Sequence, residues 1–343
     1  MADERGAILA GIRAALRLHR DLGVRERVEE TGGRVNVFDD VVRLGATLMF
    51  QPLDKLLGAY LPEDETGVLV TTQRPLSVQR FTAAHELGHL WMRHSPSLDD
   101  EGILRRAPFT TGARGVDLQE READAFASMY LVPRWIVAMH VQQQGWAPAD
   151  LADPPIAYQA SLRLGASYAA TCYALEQHKV IGRGERARLL EVEPKRIKRA
   201  LLPEGCEPSS WRGDVWVLTE RDEGRLVEGG REDLFVLRLR EDSGAGYLWD
   251  FDQLARAGFA LLLDERERVG GAGAIGGPVT RTVTASAPRT EEDAAPGGEV
   301  VLEERRPWMP RQPLAAYRLR YDLRGPERPG MWEPERRRLL RAA

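Results

Sequence analysis

The sequence predicts a multi-domain α+β protein, with a mainly helical N-terminal part that contains a small sheet, then a helix-turn-helix-like helical segment, then an all-β sandwich. Three observations predict this order. Two amphipathic helical patterns occupy residues 80–93 and 118–133, a helix–glycine–helix pattern occupies residues 157–182, and six apolar or alternating runs follow residue 213. A chain of 343 residues is long enough for two or three domains.

Composition limits the classes of function. The formal net charge is −4, so no overall basic excess points to nucleic acid or to an anionic membrane. No run of 18 apolar residues predicts a membrane span, and the charged, amphipathic residues 1–30 predict a docked helix rather than a signal peptide. Cys172 and Cys206 make no disulfide framework, which favours a reducing compartment. We therefore predict a cytoplasmic protein with no membrane partner.

The most informative motif is the H-E-x-x-H sequence at residues 85–89. His85 and His89 stand at i and i+4 of a predicted helix, so both rings lie on one face and can bind one metal ion. Zinc accepts neutral imidazoles and leaves a position for water, whose pKa falls towards ~7. Glu86 follows the first ligand and can accept the proton of that water. The motif predicts a catalytic site with one Zn²⁺ per chain.

A chance match in a surface helix is the competing interpretation of this motif. The small and apolar residues of the same segment argue against it. They recur at a spacing of three or four residues, which turns the face that carries the histidines towards the protein interior. These residues are Phe81, Ala84, Gly88 and Met92.

The third zinc ligand is sought in the second amphipathic helix, which Pro133 ends. Glu120 lies one turn before the apolar face and on the same side, so we choose it as the ligand and keep Glu122 in reserve. Asp124 is predicted to accept a hydrogen bond from the free N–H of a ligating histidine. The competing interpretation is a solvated acidic face beside Arg121.

The two helices together resemble the ImmA/IrrE family of metallo-endopeptidases. The segment FTAAHELGHLWMRH begins at Phe81, and EREADAFASMYLVP begins at Glu120. The resemblance is close over residues 35–145 and implies a zincin-like metalloprotease domain over residues 1–145. It also implies one specific protein substrate, typically a helix-turn-helix transcriptional repressor whose cleavage switches on a stress, DNA-damage or mobile-element (phage) response. Asp124 stands where the family often has asparagine.

The segments around the H-E-x-x-H motif contain further elements and residues that could contact the substrate. Residues 38–51 are predicted to form a helix and residues 60–72 an apolar strand. The resemblance implies that such a strand lies near the metal helix and forms an edge along which substrate backbone can add. A residue that contacts the substrate or stabilises the oxyanion is also expected. The candidates are Tyr60, His94, Tyr130 and His140.

Residues 146–202 are predicted to form the helix-turn-helix-like segment. Gly165 suits the turn between its two central helices, and Ser167 can cap the second helix. Residues 156–202 contain nine Lys/Arg and four Asp/Glu, so a weak DNA contact is one hypothesis. The favoured alternative is that these helices complete the first domain or hold a substrate, and that their basic face is solvated, because the second helix offers few side chains that could read bases.

A linker at residues 203–213 precedes the predicted sandwich, which covers residues 214–327. Turn residues separate its apolar or alternating runs at intervals typical of a sandwich. The strands are predicted at residues 214–219, 233–240, 258–264, 278–287, 299–306 and 316–323.

Three loops of this sandwich resemble those of the chagasin family, whose immunoglobulin-like domains inhibit papain-like cysteine proteases. The loops span residues 243–249, 269–277 and 305–310, and residues 243–245 depart from the family's Asn-Pro-Thr-Thr stretch. The resemblance implies an immunoglobulin-like fold; the competing role of the loop aromatics is packing between the sheets. The loop residues singled out are Tyr247, Trp249, Arg306, Pro307 and Trp308.

Taken together, these patterns predict a zinc endopeptidase whose sandwich senses a trigger or docks the substrate. The alternative is a DNA-binding or chagasin-like regulatory or inhibitor protein with a non-catalytic metal site. The tail at residues 328–343 is rich in proline and arginine, and no function is predicted for it.

Overall fold

A computed structural model of the chain shows a helical N-terminal half with a small sheet and a strand-rich C-terminal half, which confirms the predicted fold class. The residues that the structure describes are 2–31, 33–54, 56–62, 66–95, 98–100, 117–208, 210–268, 277, 279–288, 297–309 and 312–342. Within these ranges the strands form three sheets, and none of the helices has the length and apolar character needed to span a membrane.

Ten helices of the described chain make up most of the N-terminal half, and their buried faces share one apolar core. They are α1 (Ala2–Asp21), α2 (Val24–Thr31), α3 (Val37–Arg43), α4 (Leu76–Met92), α5 (Leu118–Leu131), α6 (Arg134–Gln144), α7 (Pro154–Leu164), α8 (Tyr168–Gln177), α9 (Arg183–Leu190) and α10 (Pro194–Leu201).

The small sheet packs against α4 and contains four N-terminal strands and the last strand of the chain. These strands are β1 (Thr47–Gln51), β2 (Leu56–Leu61), β3 (Gly67–Thr71), β4 (Leu98–Asp100) and β13 (Gly330–Met331). Their order is β13-β1-β3-β2-β4, with β1 parallel to β3 and the other neighbours antiparallel.

Two sequence predictions in this region are wrong in detail. The helix predicted over residues 38–51 ends at Arg43, because Gly45 adopts a left-handed φ of +83° and residues 47–51 then alternate in burial as β1. The single strand predicted over residues 60–72 is divided between β2 and β3, which pair antiparallel.

The predicted helix–turn–helix pattern is present as α7 and α8. Gly165 has a left-handed φ of +67° between them, and Ser167 Oγ accepts a hydrogen bond from the backbone N–H of Ala170 at 3.2 Å. Helix α8 buries Cys172 and Leu175 in the core that α1 and α4 also line. This packing favours the interpretation that the two helices complete the N-terminal half, and DNA contact stays a prediction.

The C-terminal half is a sandwich of two four-stranded sheets with an apolar core of its own. Its elements are β5 (Val215–Leu218), β6 (Leu226–Glu228), β7 (Leu234–Glu241), β8 (Leu248–Asp250), α11 (Asp252–Arg256), β9 (Ala260–Arg268), β10 (Val279–Ser286), β11 (Gly297–Arg305) and β12 (Ala315–Asp322), and the chain ends in α12 (Glu333–Ala342). The sheet orders are β5-β7-β10-β9 and β6-β12-β11-β8. All six predicted strands are present, and the predicted loop at residues 269–277 lies outside the described residues except for Gly277.

The sandwich is fixed to the helical half through α7. Arg163 Nη2 lies 2.9 Å from Asp222 Oδ1, and the Tyr158 hydroxyl donates a hydrogen bond to Asp214 at 2.7 Å. Three apolar residues at the start of the sandwich belong to the N-terminal core rather than to the core of the sandwich. They are Val215, Leu234 and Val236.

The sandwich also contacts α4. Glu228 of β6 forms ion pairs with Arg34 and with Arg80, and the Arg80 pair has an Nη2–Oε1 distance of 3.7 Å. Burial and the neighbouring Arg34 charge lower the pKa of Arg80 to about 9, whereas the Glu228 charge opposes that shift. An acidic residue of the sandwich therefore supports a buried cation on this helix.

The C-terminal tail completes the small sheet. Strand β13 pairs with β1, and the backbone N–H of the following residue, Trp332, donates to the Leu48 carbonyl at 2.9 Å. The Trp332 ring is buried and meets Phe38 edge to face, with ring centroids 6.4 Å apart. Residues 328–343 thus contribute both a strand and a core side chain to the N-terminal half.

Helix α5 packs closely on both α1 and α4, and glycines make this approach feasible. A Cβ atom built on Gly11 of α1 would lie 2.1 Å from the carbonyl oxygen of Glu122 in α5. A Cβ atom on Gly88 of α4 would lie 3.1 Å from the Phe126 ring. The contact at Gly11 therefore requires a residue without a side chain, whereas a Cβ atom at Gly88 would require the Phe126 ring to shift by a few tenths of an ångström.

Gly11→Ala is expected to destabilise the protein, although alanine is the better helix former. Its Cβ would force α1 away from the α5 backbone, and overpacking of this kind costs about 1–3 kcal/mol. Gly6→Ala in the same helix is the matched control, because no atom lies within 4 Å of the added Cβ. The control should gain about 0.4–1 kcal/mol. Urea denaturation measures both values, and equal gains in the two variants would contradict the packing.

Candidate metal centre

The H-E-x-x-H motif and the start of α5 bring three ligand atoms together. His85 Nε2 and His89 Nε2 lie 3.0 Å apart, and the Glu120 carboxylate oxygens lie 3.4 Å and 3.6 Å from them. The two histidines are buried, whereas the Glu120 side chain is partly exposed, at 14%. Among the described residues, these three form the group of acidic, histidine or cysteine side chains that could hold a metal ion.

The geometry of this group fits a tetrahedral metal ion. Zinc–nitrogen and zinc–oxygen distances are about 2.0–2.1 Å, so two ligand atoms of a tetrahedron lie ~3.3 Å apart. The three observed separations, 3.0–3.6 Å, surround this value. Two imidazoles and one carboxylate are also a ligand set that zinc accepts while a fourth position stays open. The residues present therefore fit the predicted cofactor.

A buried carboxylate orients the first histidine. Asp124 Oδ1 lies 3.1 Å from His85 Nδ1, on the opposite side of the ring from Nε2. An N–H on Nδ1 leaves Nε2 with a lone pair that points at the other two ligand atoms. The structure thus places Asp124 where the sequence predicted a partner for a ligating histidine.

The crossing of α4 and α5 sets the position of Glu120. Helix α5 begins at Leu118, and the side chain of the preceding residue, Asp117, caps the first turn by accepting the N–H of Gln119 at 3.1 Å. Gly88, one residue before the second histidine, lets the Phe126 ring lie directly on α4. The helices therefore approach closely enough for a residue in the first turn of α5 to reach the histidines.

Glu86 is fully buried, and its carboxylate lies against β2 at Gly58. A Cβ atom at Gly58 would be 2.7 Å from Glu86 Oε1, 2.5 Å from Thr82 Cγ2 and 2.8 Å from the Leu69 carbonyl oxygen. Sequence reasoning missed Gly58. The signal that could have found it is a glycine inside a strand, which often marks a close approach of backbone to another group.

The edge of β2 next to Glu86 is paired with the chain's own β4. Gly58 is in register with Asp99, and Ala59 with Leu98. The sequence predicted that substrate backbone could add along a strand beside the metal helix, and β2 is that strand. Substrate addition at this edge therefore requires β4 to give way, or else it takes place elsewhere.

The four candidate contact residues have different positions. Tyr60 lies two residues after Gly58 on the same face of β2, so its side chain is on the α4 side. His94 follows the end of α4 and lies against His89. The structure therefore brings His94 into contact with a ligand histidine, and it places Tyr60 on the face of β2 that meets α4.

Tyr130 and His140 are not brought to the centre. The Tyr130 hydroxyl donates to Asp40 at 2.8 Å and the residue is fully buried, ten residues along α5 from Glu120. Burial, helped by the charges of Arg163 and a second arginine near the sandwich, lowers the pKa of His140 to about 3. His140 is therefore neutral at pH 7, and it lies near Arg163, where the helical half contacts the sandwich.

The sandwich residues singled out by the sequence divide into core and surface. Trp249 is buried, and its Nε1–H donates to the Arg240 carbonyl at 2.8 Å, so it has the packing role. At one end of the sandwich, the Arg306 guanidinium lies 4.5 Å from the centre of the Tyr247 ring. Trp308 is 68% exposed there, and its neighbour Pro307 is also exposed.

Three of the solved structures that are similar to this chain have low TM-scores. A cysteine protease inhibitor from Entamoeba histolytica is 22% identical, with 32% of this chain and 96% of that chain covered and a TM-score of 0.27. Amebosin is 20% identical, with 32% and 98% covered and the same TM-score of 0.27. A transcriptional regulator from Mycobacterium tuberculosis is 12% identical, with 86% and 84% covered and a TM-score of 0.32. Likenesses at such TM-scores carry no conclusion, and no curated protein matches the chain.

A protein-family model matches the part of the chain that contains the metal centre. Residues 42–176 match the Peptidase_M78 model, which is described as an IrrE N-terminal-like domain. This match includes β1 to β4, both ligand-bearing helices, α7 and nearly all of α8. It confirms the resemblance that the two helix motifs predict. Over residues 42–176 the chain is therefore similar to the Peptidase_M78 (IrrE N-terminal-like) domain.

Proposed function

We propose that the chain is a zinc-dependent endopeptidase in which His85, His89 and Glu120 hold one Zn²⁺ and Glu86 is the general base. The observation that carries this proposal is the convergence of three ligand atoms within 4.8 Å of one another, on two helices of a metallopeptidase domain. Glu86 is adjacent to the first ligand in the chain and is buried beside β2.

Each residue of the centre has a defined part in peptide hydrolysis. When bound, Zn²⁺ supplies Lewis-acid chemistry, which acidifies a water molecule and polarises the peptide carbonyl. Glu86 accepts the proton of the water and passes it to the departing amine. Asp124 holds the His85 ring so that Nε2 keeps its lone pair towards the site. Gly58 leaves room for the Glu86 carboxylate against the sheet.

We propose one specific protein substrate, a helix-turn-helix transcriptional repressor whose cleavage switches on a stress, DNA-damage or mobile-element response. The resemblance to the ImmA/IrrE family supports this substrate class. The buried centre supports selectivity, because Glu86 is closed in by β2 and the edge of β2 is covered by β4. A substrate must present an extended segment that competes with this strand.

The sandwich is proposed to dock the substrate or to sense a trigger. Its exposed end, formed by Tyr247, Arg306, Pro307 and Trp308, supports a docking role, because exposed aromatic residues beside arginine are typical of protein interfaces. Removal of the whole sandwich is a poor test. Truncation of the chain before the sandwich would also remove β13 and Trp332, which follow the sandwich and belong to the N-terminal half.

Zinc content tests the ligand set. Wild-type protein loaded with zinc and freed of excess should retain about one ion per chain, since the three ligand atoms fit one tetrahedral ion. Glu120→Ala should lose the ion, whereas Glu122→Ala, the matched control two residues away, should still load with one. Metal analysis by mass spectrometry measures this. Zinc-free wild type, or loss in Glu122→Ala alone, would overturn the assignment.

Glu86→Gln tests the general base and finds the substrate. The variant keeps zinc but should cleave about 10²–10⁴-fold more slowly, because an amide cannot accept the proton. Labelling of new protein N-termini in a cell extract, treated with wild type or Glu86→Gln, identifies the cleaved proteins. One or a few sites in a helix-turn-helix protein are expected. Cleavage at many unrelated sites would contradict the proposed selectivity. If wild type and Glu86→Gln gave the same set of new N-termini, the proposed endopeptidase activity would be contradicted.

Trp308→Ala tests the docking role. Cleavage of the protein substrate found by N-terminal labelling should fall about tenfold or more in kcat/KM, because an exposed aromatic anchor would be lost. Cleavage of a short peptide that spans the same site should not change. Leu340→Ala, at a 73% exposed residue of α12, is the matched control and should cleave both normally. Equal rates for Trp308→Ala and wild type on the protein substrate would exclude docking through this loop.

A further inference from the structure

We propose that His94 and Glu122 position the zinc ligand His89 through a chain of hydrogen bonds. The His94 Nδ1 atom lies 3.0 Å from His89 Nδ1, and His94 Nε2 lies 2.8 Å from Glu122 Oε2. This role rests on the proposed zinc site and extends it, because the sequence assigned neither residue to it. Glu122 was the reserve zinc ligand and His94 a candidate substrate contact.

The turn at the end of α4 places the His94 side chain against His89. Arg93 adopts a left-handed conformation (φ 58°, ψ 46°), which is unfavourable for a residue with a side chain. In return, the backbone N–H of His94 donates to the His89 carbonyl at 3.0 Å. The two rings then meet edge to face, with centroids 4.9 Å apart. A continued helix would have carried His94 away from the ligand.

Helix α5 holds this turn at two points. Glu122 binds the His94 ring, and Gln119 Oε1 accepts the backbone N–H of Ser95 at 2.8 Å. Both residues lie in the first part of the helix that also supplies Glu120. The same helix end therefore provides a ligand to the ion and a support to another ligand.

The hydrogen-bond chain has one consistent distribution of protons. His89 Nε2 faces the other ligand atoms, so a zinc-binding lone pair there requires the proton on Nδ1. His94 Nδ1 then accepts that N–H, and its own Nε2–H donates to the Glu122 carboxylate. The Glu122 carboxylate thus fixes the tautomer of His94, and His94 in turn fixes the tautomer of His89.

This arrangement explains why neither residue is assigned to the substrate or to the metal. Both ring nitrogens of His94 are engaged, and its side chain is only 7% exposed, so no N–H is left for an oxyanion. The Glu122 carboxylate is directed to His94, whereas that of Glu120 is directed to the two ligand histidines. The pair acts on the site through His89.

The two zinc ligands from α4 thus have different supports. His85 is held directly by the Asp124 carboxylate at 3.1 Å. His89 is held by a neutral imidazole, with the Glu122 carboxylate one residue further away. Loss of His94 would leave a buried N–H of His89 without its acceptor and the ring without its orientation.

The test is zinc affinity of the metal-free, full-length protein, measured by competition with a chelator. His94→Phe keeps an aromatic ring but loses the Nδ1 acceptor, and it should raise the Kd for zinc about 10–100-fold. His94→Gln can accept from His89 and donate to Glu122, and should stay within a few-fold of wild type. Glu122→Gln removes only the charge, and should fall between the two.

His178→Ala is the control for the loss of a buried histidine, since His178 bonds the Val132 carbonyl at the far end of α5. It should leave zinc affinity unchanged. Cobalt spectra of the loaded proteins give a second readout, and His94→Phe should alter the ligand-field bands that His94→Gln preserves. Absence of zinc in wild type would contradict the zinc site itself. Normal zinc in wild type with equal affinity in His94→Phe would overturn only the role of His94.

Discussion

The packing of α5 is the constraint on which the metal centre depends. This helix meets the backbone of α1 at Gly11 and that of α4 at Gly88. A side chain at Gly11 would clash with the α5 backbone, and one at Gly88 would require the Phe126 ring to shift. At its C-terminal end, more than two turns from Glu120, His19 and His178 lie 2.8 Å and 2.6 Å from the carbonyl oxygens of Tyr130 and Val132. Burial lowers the pKa of both histidines, so they are neutral N–H donors at pH 7.

The ligand atoms show why this fixation matters. Glu120 and the two histidines come from helices separated by more than twenty residues of chain, yet their ligand atoms lie 3.0–3.6 Å apart. A displacement of ~1 Å between the helices would spoil a tetrahedral set. A closely packed, glycine-based helix contact has few alternative positions, because interiors are dense and adapt poorly to changed volume. The strict geometry of the centre is thus a property of the helix packing.

The sandwich is an integral part of this architecture and is not joined by a flexible link alone. Its Glu228 contacts Arg80 on α4, five residues before the first histidine, and the segment after it returns β13 to the small sheet. Apolar residues of β5 and β7 enter the N-terminal core. A signal received by the sandwich would therefore have a physical route to the metal helix. By the same contacts, the sandwich stabilises the metallopeptidase half whether or not it binds a partner.

Local patterns determined much of this molecule from the sequence alone. The spacing of His85, Glu86 and His89, the glycine turn at Gly165 and the six alternating strands are periodicities within single elements, and each appears in the structure as predicted. Short or ambiguous segments were less informative. Residues 38–51 are both helix and strand, and β6 and β8 have three residues each, too few to show a period.

Only the tertiary structure decided how the elements meet. Glu120 and Glu122 are two residues apart, and the sequence favoured Glu120 as the ligand without excluding Glu122. The crossing of α4 and α5 directs Glu120 to His85 and His89, and Glu122 to His94. The tertiary structure also places the Glu86 carboxylate against Gly58 of β2. It places the Tyr130 hydroxyl in a hydrogen bond to Asp40, away from the metal ligands. Periodicity arises from the backbone of one segment, whereas these contacts arise from the packing of segments that are distant in the chain.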